Sequence, residues 1–243
     1  MYIRNFKKLK GFATYLVSLS GLKSLIICQC PKLEAFPEQV LEGLNSLQHL
    51  TLERCIKFSN LSEGLRHLSA LESLTLNGCP ELVTFPNGIK YLSSLRVLTI
   101  CGKAATFFGD RKINVIFSLC LVVVVGEDSN CDDSNYDDSN CPKLRVLPES
   151  LRYVPALQTL SICRYPELAS LPHWLGNLTS LQSLHIHECP KLSSLPASMQ
   201  SLTNLQNLFI SECPELVKRC EKETGEDWYK IAHVPDVIVE KTK

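Results

Sequence analysis

Apolar and polar positions alternate over short stretches all along this chain, and the stretches return at a fixed interval. "LKSLIICQCPKLEAFPEQVLEGLNS" from residue 22, "LQHLTLERCIKFSNLSEGLRHLSA" from 47 and "LESLTLNGCPELVTFPNGIKYLSS" from 71 share one frame. The frame resumes in "LQTLSICRYPELASLPHWLGNLTS" from 157, "LQSLHIHECPKLSSLPASMQSLTN" from 181 and "LQNLFISECPELVKRC" from 205. Its consensus is L-x-x-L-x-L-x-x-C-P-x-L-x-x-L-P-x-x-L-x-x-L-x-x, with a period of 24 or 25. Of 13 prolines, 31, 80, 142, 166, 190 and 214 share one column and 37, 86, 148, 172 and 196 another. Each L-x-L predicts a short strand with leucines inward and the x residues outward. The Cys-Pro behind it ends the strand, because proline donates nothing to a ladder. The L-P step opens a helical turn.

This is the pattern of a leucine-rich repeat. One repeat buries too little apolar surface to offset the entropy of ordering it, so neighbours must stack. The expected fold is an α/β solenoid with a concave parallel β-sheet and short helical turns on the convex side. The repeat domain is expected over residues 1–220. Shifted by two repeats, Ile3 falls on the position of Leu52, Phe6 on Cys55, Phe12 on Leu61, Leu16 on Leu65 and Leu19 on Leu68. The chain thus begins inside a repeat, which predicts a fragment of a longer protein with its first core layer exposed.

The fourth full repeat, "LRVLTICG" from 95, loses the frame, which returns at "CPKLRVLPESLRYVPA" from 141. Deleting residues 103–140 restores a repeat in register. The excess holds an apolar run, "VIFSLCLVVVV" from 115 to 125, then "EDSNC", "DDSNY" and "DDSN". Sequence absent from the working protein, such as a translated intron, fits the aggregation-prone run best. A projecting functional loop is the alternative, and calcium binding lacks the required spacing.

Candidate chemistry centres on "HIHEC", residues 185–189. His185 and His187 are expected on the concave face about 7 Å apart. Cys189 should point into the core, no third ligand is evident, and neither ring has an obvious nucleophile beside it. Ordinary surface histidines are the expectation, with no metal and no cofactor. Cys30, Cys55, Cys79, Cys141, Cys189 and Cys213 share an inward column, replacing the asparagines of other leucine-rich repeats. Cys28, Cys101 and Cys163 form an outward one. No leader sequence is recognisable, so the thiols are expected to be reduced. The chain lacks G-x-x-x-x-G-K-[ST], G-x-G-x-x-G, C-x-x-C and H-E-x-x-H, and no enzyme is expected. With 25 basic and 25 acidic residues among 243, nothing suggests nucleic acid or an anionic membrane as a partner.

What remains is a concave face whose residues vary while the core columns do not. Ile26, His49, Glu53, Arg54, Arg164, His185, His187, Glu188, Asn207, Phe209 and Glu212 are its candidate partner-binding residues, with Arg, His and Phe as the expected anchors.

The C-x-x-L-x-x-L-P repeat resembles the leucine-rich-repeat region of plant nucleotide-binding disease-resistance proteins of the coiled-coil class. The ending "CPELVKRCEKETGEDWYKIAHVPDVIVE", residues 213–240, resembles the C-terminus of that class. Residues 214–243 are expected to cap the solenoid, with Trp228, Tyr229 and Ile231 over the open core. The resemblance implies a cytoplasmic immune-receptor module that binds pathogen effectors or effector-modified host proteins and, in a full-length receptor, its own nucleotide-binding domain. That domain is not in this chain, so no nucleotide-binding residue carries over. The alternatives are a repeat scaffold such as a ubiquitin-ligase substrate receptor, or an inactive truncated gene copy.

Overall fold

Leucines two apart, repeated every turn of the solenoid, give one open sheet in the computed structural model, which describes residues 1–4, 19–82, 84–102 and 144–240. Its strands are β1 (Tyr2–Arg4), β2 (Ser24–Cys28), β3 (His49–Glu53), β4 (Ser73–Asn77), β5 (Val97–Cys101), β6 (Thr159–Cys163), β7 (Ser183–His187), β8 (Asn207–Ser211) and β9 (Asp236–Glu240). All pair in parallel and in chain order.

The inward columns are Leu25, Leu50, Leu74, Leu98, Leu160, Leu184 and Leu208, then Ile27, Leu52, Leu76, Ile100, Ile162, Ile186 and Ile210, all at most 1 % exposed. Register is locked from both ends of each strand. Before β3, the N–H groups of Gln48 and His49 both donate to the carbonyl of Lys23, at 2.8 and 3.0 Å; every later repeat up to Asn207 does likewise. After each of β2 to β7, the next residue donates to the neighbouring repeat, as Arg54 N–H does to Asn77 O at 2.8 Å.

Among the described residues the convex side carries one five-residue α-helix, α1 (Glu38–Glu42), and otherwise 3-10 turns: Glu63–His67, Asn87–Tyr91, Glu149–Tyr153, His173–Asn177 and Ala197–Ser201. Pro37, Pro86, Pro148, Pro172 and Pro196 stand just before these elements, in extended or near-extended backbone, where a fixed φ sets the entry angle.

Ile3 pairs with Ile27, the register expected from sequence. It is only 8 % exposed and joins the core, so the bare first layer expected there is not found at this position. Phe6, Phe12, Leu16, Cys141 and the insertion 103–140 lie outside the described residues. The frame does resume: β5 pairs directly with β6, and Leu144, Leu147, Leu151 and Val154 are buried.

Cys30, Cys55, Cys79, Cys189 and Cys213 are buried in one inward column. Their thiols approach turn carbonyls, as Cys213 Sγ donates to Ser211 O at 3.2 Å, and Cys213 Sγ also accepts from Cys189 N–H. Burial pushes the Cys79 thiol up to about 12, which keeps it protonated. The outward Cys101 and Cys163, register partners on β5 and β6, form a disulfide with Cα atoms 4.6 Å apart. That corrects the expectation of reduced thiols throughout.

The tail closes the last repeat by a route only partly anticipated. The helix α2 (Pro214–Arg219) follows β8 directly, and Ile231 is fully buried. Trp228 packs at the core's edge. Tyr229, by contrast, is 58 % exposed, because Lys230 rather than its neighbour turns inward. Lys230 Nζ donates to Asp227 Oδ1 at 2.8 Å and to Leu195 O at 2.6 Å, while Asp227 Oδ2 accepts from Leu195 N–H at 2.7 Å. Arg219 completes the pairing of the buried Asp227 carboxylate. β9 then adds a strand to the sheet.

Candidate protein-interaction surface

The concave face is built from three outward columns of the strands and a fourth just past them. The first, at strand starts, holds exposed His49 and Asn207. The second reads Ile26, Thr51, Thr75, Thr99, Ser161, His185 and Phe209. The third reads Cys28, Glu53, Asn77, Cys101, Cys163, His187 and Ser211. Facing outward does not make these residues accessible. Thr75, Asn77, Thr99, Ser161, His187, Phe209 and Ser211 are all buried, as are the column's cysteines. In-register strands only about 4.8 Å apart bring each side chain against its equivalents in the repeats on either side.

The fourth column is Gln29, Arg54, Gly78, Arg164, Glu188 and Glu212, all with positive φ from 49° to 67°. Left-handed backbone costs a non-glycine residue roughly 1–2 kcal/mol. Here the turn it makes delivers the N–H to the next repeat's carbonyl, and only Gly78 avoids the penalty. The side chains of Gln29, Arg54, Arg164, Glu188 and Glu212 lie beyond the strand ends and stay half-exposed.

Arg164 and Glu188 pair across adjacent repeats, with Nε donating to Oε2 at 2.6 Å and a second nitrogen to Oε1 at 3.3 Å. Burial pushes the Glu188 carboxyl up, but the His187 ring and the Arg164 guanidinium outweigh it and hold it at about 2. His185 shares a 3.2 Å hydrogen bond with Ser161 and meets the Phe209 ring edge-to-face, at 6.5 Å between centroids. Burial holds its imidazole down at about 4, so it is neutral at pH 7.

Of the residues singled out from sequence, His49 and Asn207 are exposed, and Ile26, Glu53, Arg54, Arg164, His185, Glu188 and Glu212 are half-buried. His187 and Phe209 are buried, at 5 % and 8 % exposure, which corrects the reading of His187 as an ordinary surface residue and weakens Phe209 as an anchor. His187 also has the neighbours that sequence reasoning missed. Its Nδ1 shares a 2.7 Å hydrogen bond with Ser211 Oγ, and its Nε2 lies 3.3 Å from Glu188 Oε1. Ser211 is exactly one repeat on from His187, so the frame itself held the signal. With Ser211 4 % exposed, its hydroxyl is closed to a substrate. The arrangement suits holding a cation or a partner's polar group.

Residues 128–213 match the family described as R13L1/DRL21 LRRs, a plant resistance-type repeat family. The leucine-rich-repeat domain of the type III effector XopL is similar in structure. It has a TM-score of 0.63 at 18% identity, over 98% of this chain and 75% of that one. The chain is a leucine-rich-repeat solenoid. Internalin C2 from Listeria monocytogenes is more distant, at 15% identity over 99% of this chain and 80% of that one, with a TM-score of 0.47. Among curated proteins no sequence relative matches. Leucine-rich repeats of this kind are generally non-catalytic protein-interaction modules. Among the described residues no helix is long and apolar enough to cross a membrane.

Proposed function

We propose that this solenoid is the protein-recognition module of an intracellular plant immune receptor, cytoplasmic, and that it binds pathogen effectors or effector-modified host proteins on its concave face. In a full-length receptor the same face would also contact the receptor's own nucleotide-binding domain. One observation carries the reading: side chains of differing charge and shape are set at accessible positions on a repeat scaffold whose buried columns scarcely change. His49 and Asn207 line one margin of the sheet; Arg54, Arg164, Glu188 and Glu212 line the other. Charged and amide groups at such margins give orientation and partner choice more than raw affinity. The match to a plant resistance-type repeat family and the ending at residues 213–240 support the immune context.

The test is made in a full-length receptor carrying these repeats. His49→Glu, Arg54→Glu and Asn207→Arg together are expected to abolish effector-triggered cell death or to make it constitutive, with an unchanged circular-dichroism spectrum for the repeats. A wild-type response from the triple variant would overturn the reading.

A further inference from the structure

His187, Glu188 and Glu212 bring one ring nitrogen and two carboxylates within 4.8 Å of one another. The strand and turn put them there: His187 ends β7, Glu188 is the left-handed residue after it, and Glu212 is the same residue one repeat on. Three properties separate this cluster from a chance gathering of acids. The His187 side chain is buried, and among the described residues its Nε2 meets only the Glu188 carboxylate, 3.3 Å away and short of hydrogen-bond geometry. A buried ring nitrogen left so is costly unless something fills the space before it. Next, the other ring nitrogen is held by Ser211 Oγ at 2.7 Å. When Nδ1–H is the donor in that bond, the Nε2 lone pair is left free, which is how a metal-binding imidazole is fixed. Lastly, Arg164 offsets the charge of Glu188, whereas no described cation pairs with Glu212.

We propose that His187 Nε2 and the carboxylates of Glu188 and Glu212 form a binding site for a divalent transition-metal ion of the zinc class. A mixed nitrogen and carboxylate set suits such an ion better than calcium, which prefers six or more oxygens. Zinc ligands at about 2.0–2.1 Å stand roughly 3.3 Å apart in a tetrahedron; Glu188 Oε1 is already 3.3 Å from His187 Nε2, so Glu212 has to close in by at most about 1.5 Å. The rigid strand end and Ser211 keep the ring in place. Three protein ligands leave a fourth position for water. The site stands independently of the recognition role proposed above.

The test uses the full chain, titrated with zinc chloride by calorimetry and with cobalt(II) by visible absorption. One equivalent is expected to bind, with cobalt bands of a nitrogen–oxygen site and no thiolate charge-transfer band. Glu212→Gln is expected to weaken binding at least tenfold without changing the melting temperature of the metal-free protein. Ser211→Ala is expected to weaken it about 10–100-fold, since the residue only orients the ring. Glu42→Gln, in the exposed grouping Glu38, Glu42 and His67, should leave affinity unchanged. No saturable binding, a thiolate band, wild-type affinity in Glu212→Gln, or loss in Glu42→Gln would each overturn the proposal.

Discussion

Strands β2–β5 and β6–β8 share one register and one core, yet their outward sides differ in kind. The first group shows threonines in its central column (Thr51, Thr75, Thr99), and Gln29, Arg54 and Gly78 beyond the strand ends. The second carries His185, His187 and Phe209, with Arg164, Glu188 and Glu212 beyond them. The inward leucines do not register the change. Backbone pairing in such a sheet fixes where a side chain stands regardless of what it is, so chemistry can gather at one end without changing the strand register. In this molecule it gathers beside the cap.

The largest expected effect tests the cap itself. Asp227→Ala leaves Lys230 and Arg219 without their shared carboxylate and is expected to cost about 3–5 kcal/mol in denaturant unfolding. Leu184→Ala and Leu74→Ala, one from each group, should each cost about 2–5 kcal/mol. A near-zero cost in either would break the claim that both halves share one kind of core. The next effect separates the halves by pH. The unfolded chain takes up a proton at His185 near its ordinary 6.5, the folded chain only near 4. Stability should therefore fall as pH drops from 6.5 to 4, by on the order of 2–3 kcal/mol. His185→Thr, which restores the residue type of the first group, should remove that slope in melts across this range. Arg164→Ala, read at pH 7, is expected to cost about 1–2 kcal/mol through its charged hydrogen bonds to Glu188. Arg152→Ala removes a surface pair with Glu149 and a cation–π contact with the neighbouring Tyr153 ring, and should leave the unfolding midpoint almost unchanged.

The period, the inward and outward columns and the pairing of β5 with β6 were all legible in the chain, because leucine spacing alone sets them. So were the outward strand positions of Ile26, Glu53, His185, His187 and Phe209. Accessibility was not. Whether His187 or Phe209 meets water depends on the side chains of the neighbouring repeats, which a single repeat does not display. Ser211 and Glu212 were missed as neighbours of His187 for the same reason: their contacts run between repeats, whereas "HIHEC" directs attention along one. The Asp227–Lys230 latch lay hidden in a stretch read only for its apolar and aromatic residues, and β9 in a tail that breaks the repeat frame.

Gly102 N–H donates to Cys163 O at 2.9 Å, and Gln158 N–H reaches back to Arg96 O at 2.8 Å. These bonds join β5 to β6 at both ends of the strand pair, on either side of the stretch from 103 to 143. The pairing of β5 with β6 is thus held by bonds among residues outside that stretch. A reporter domain spliced there should ride on the molecule while the strands beneath keep their partners.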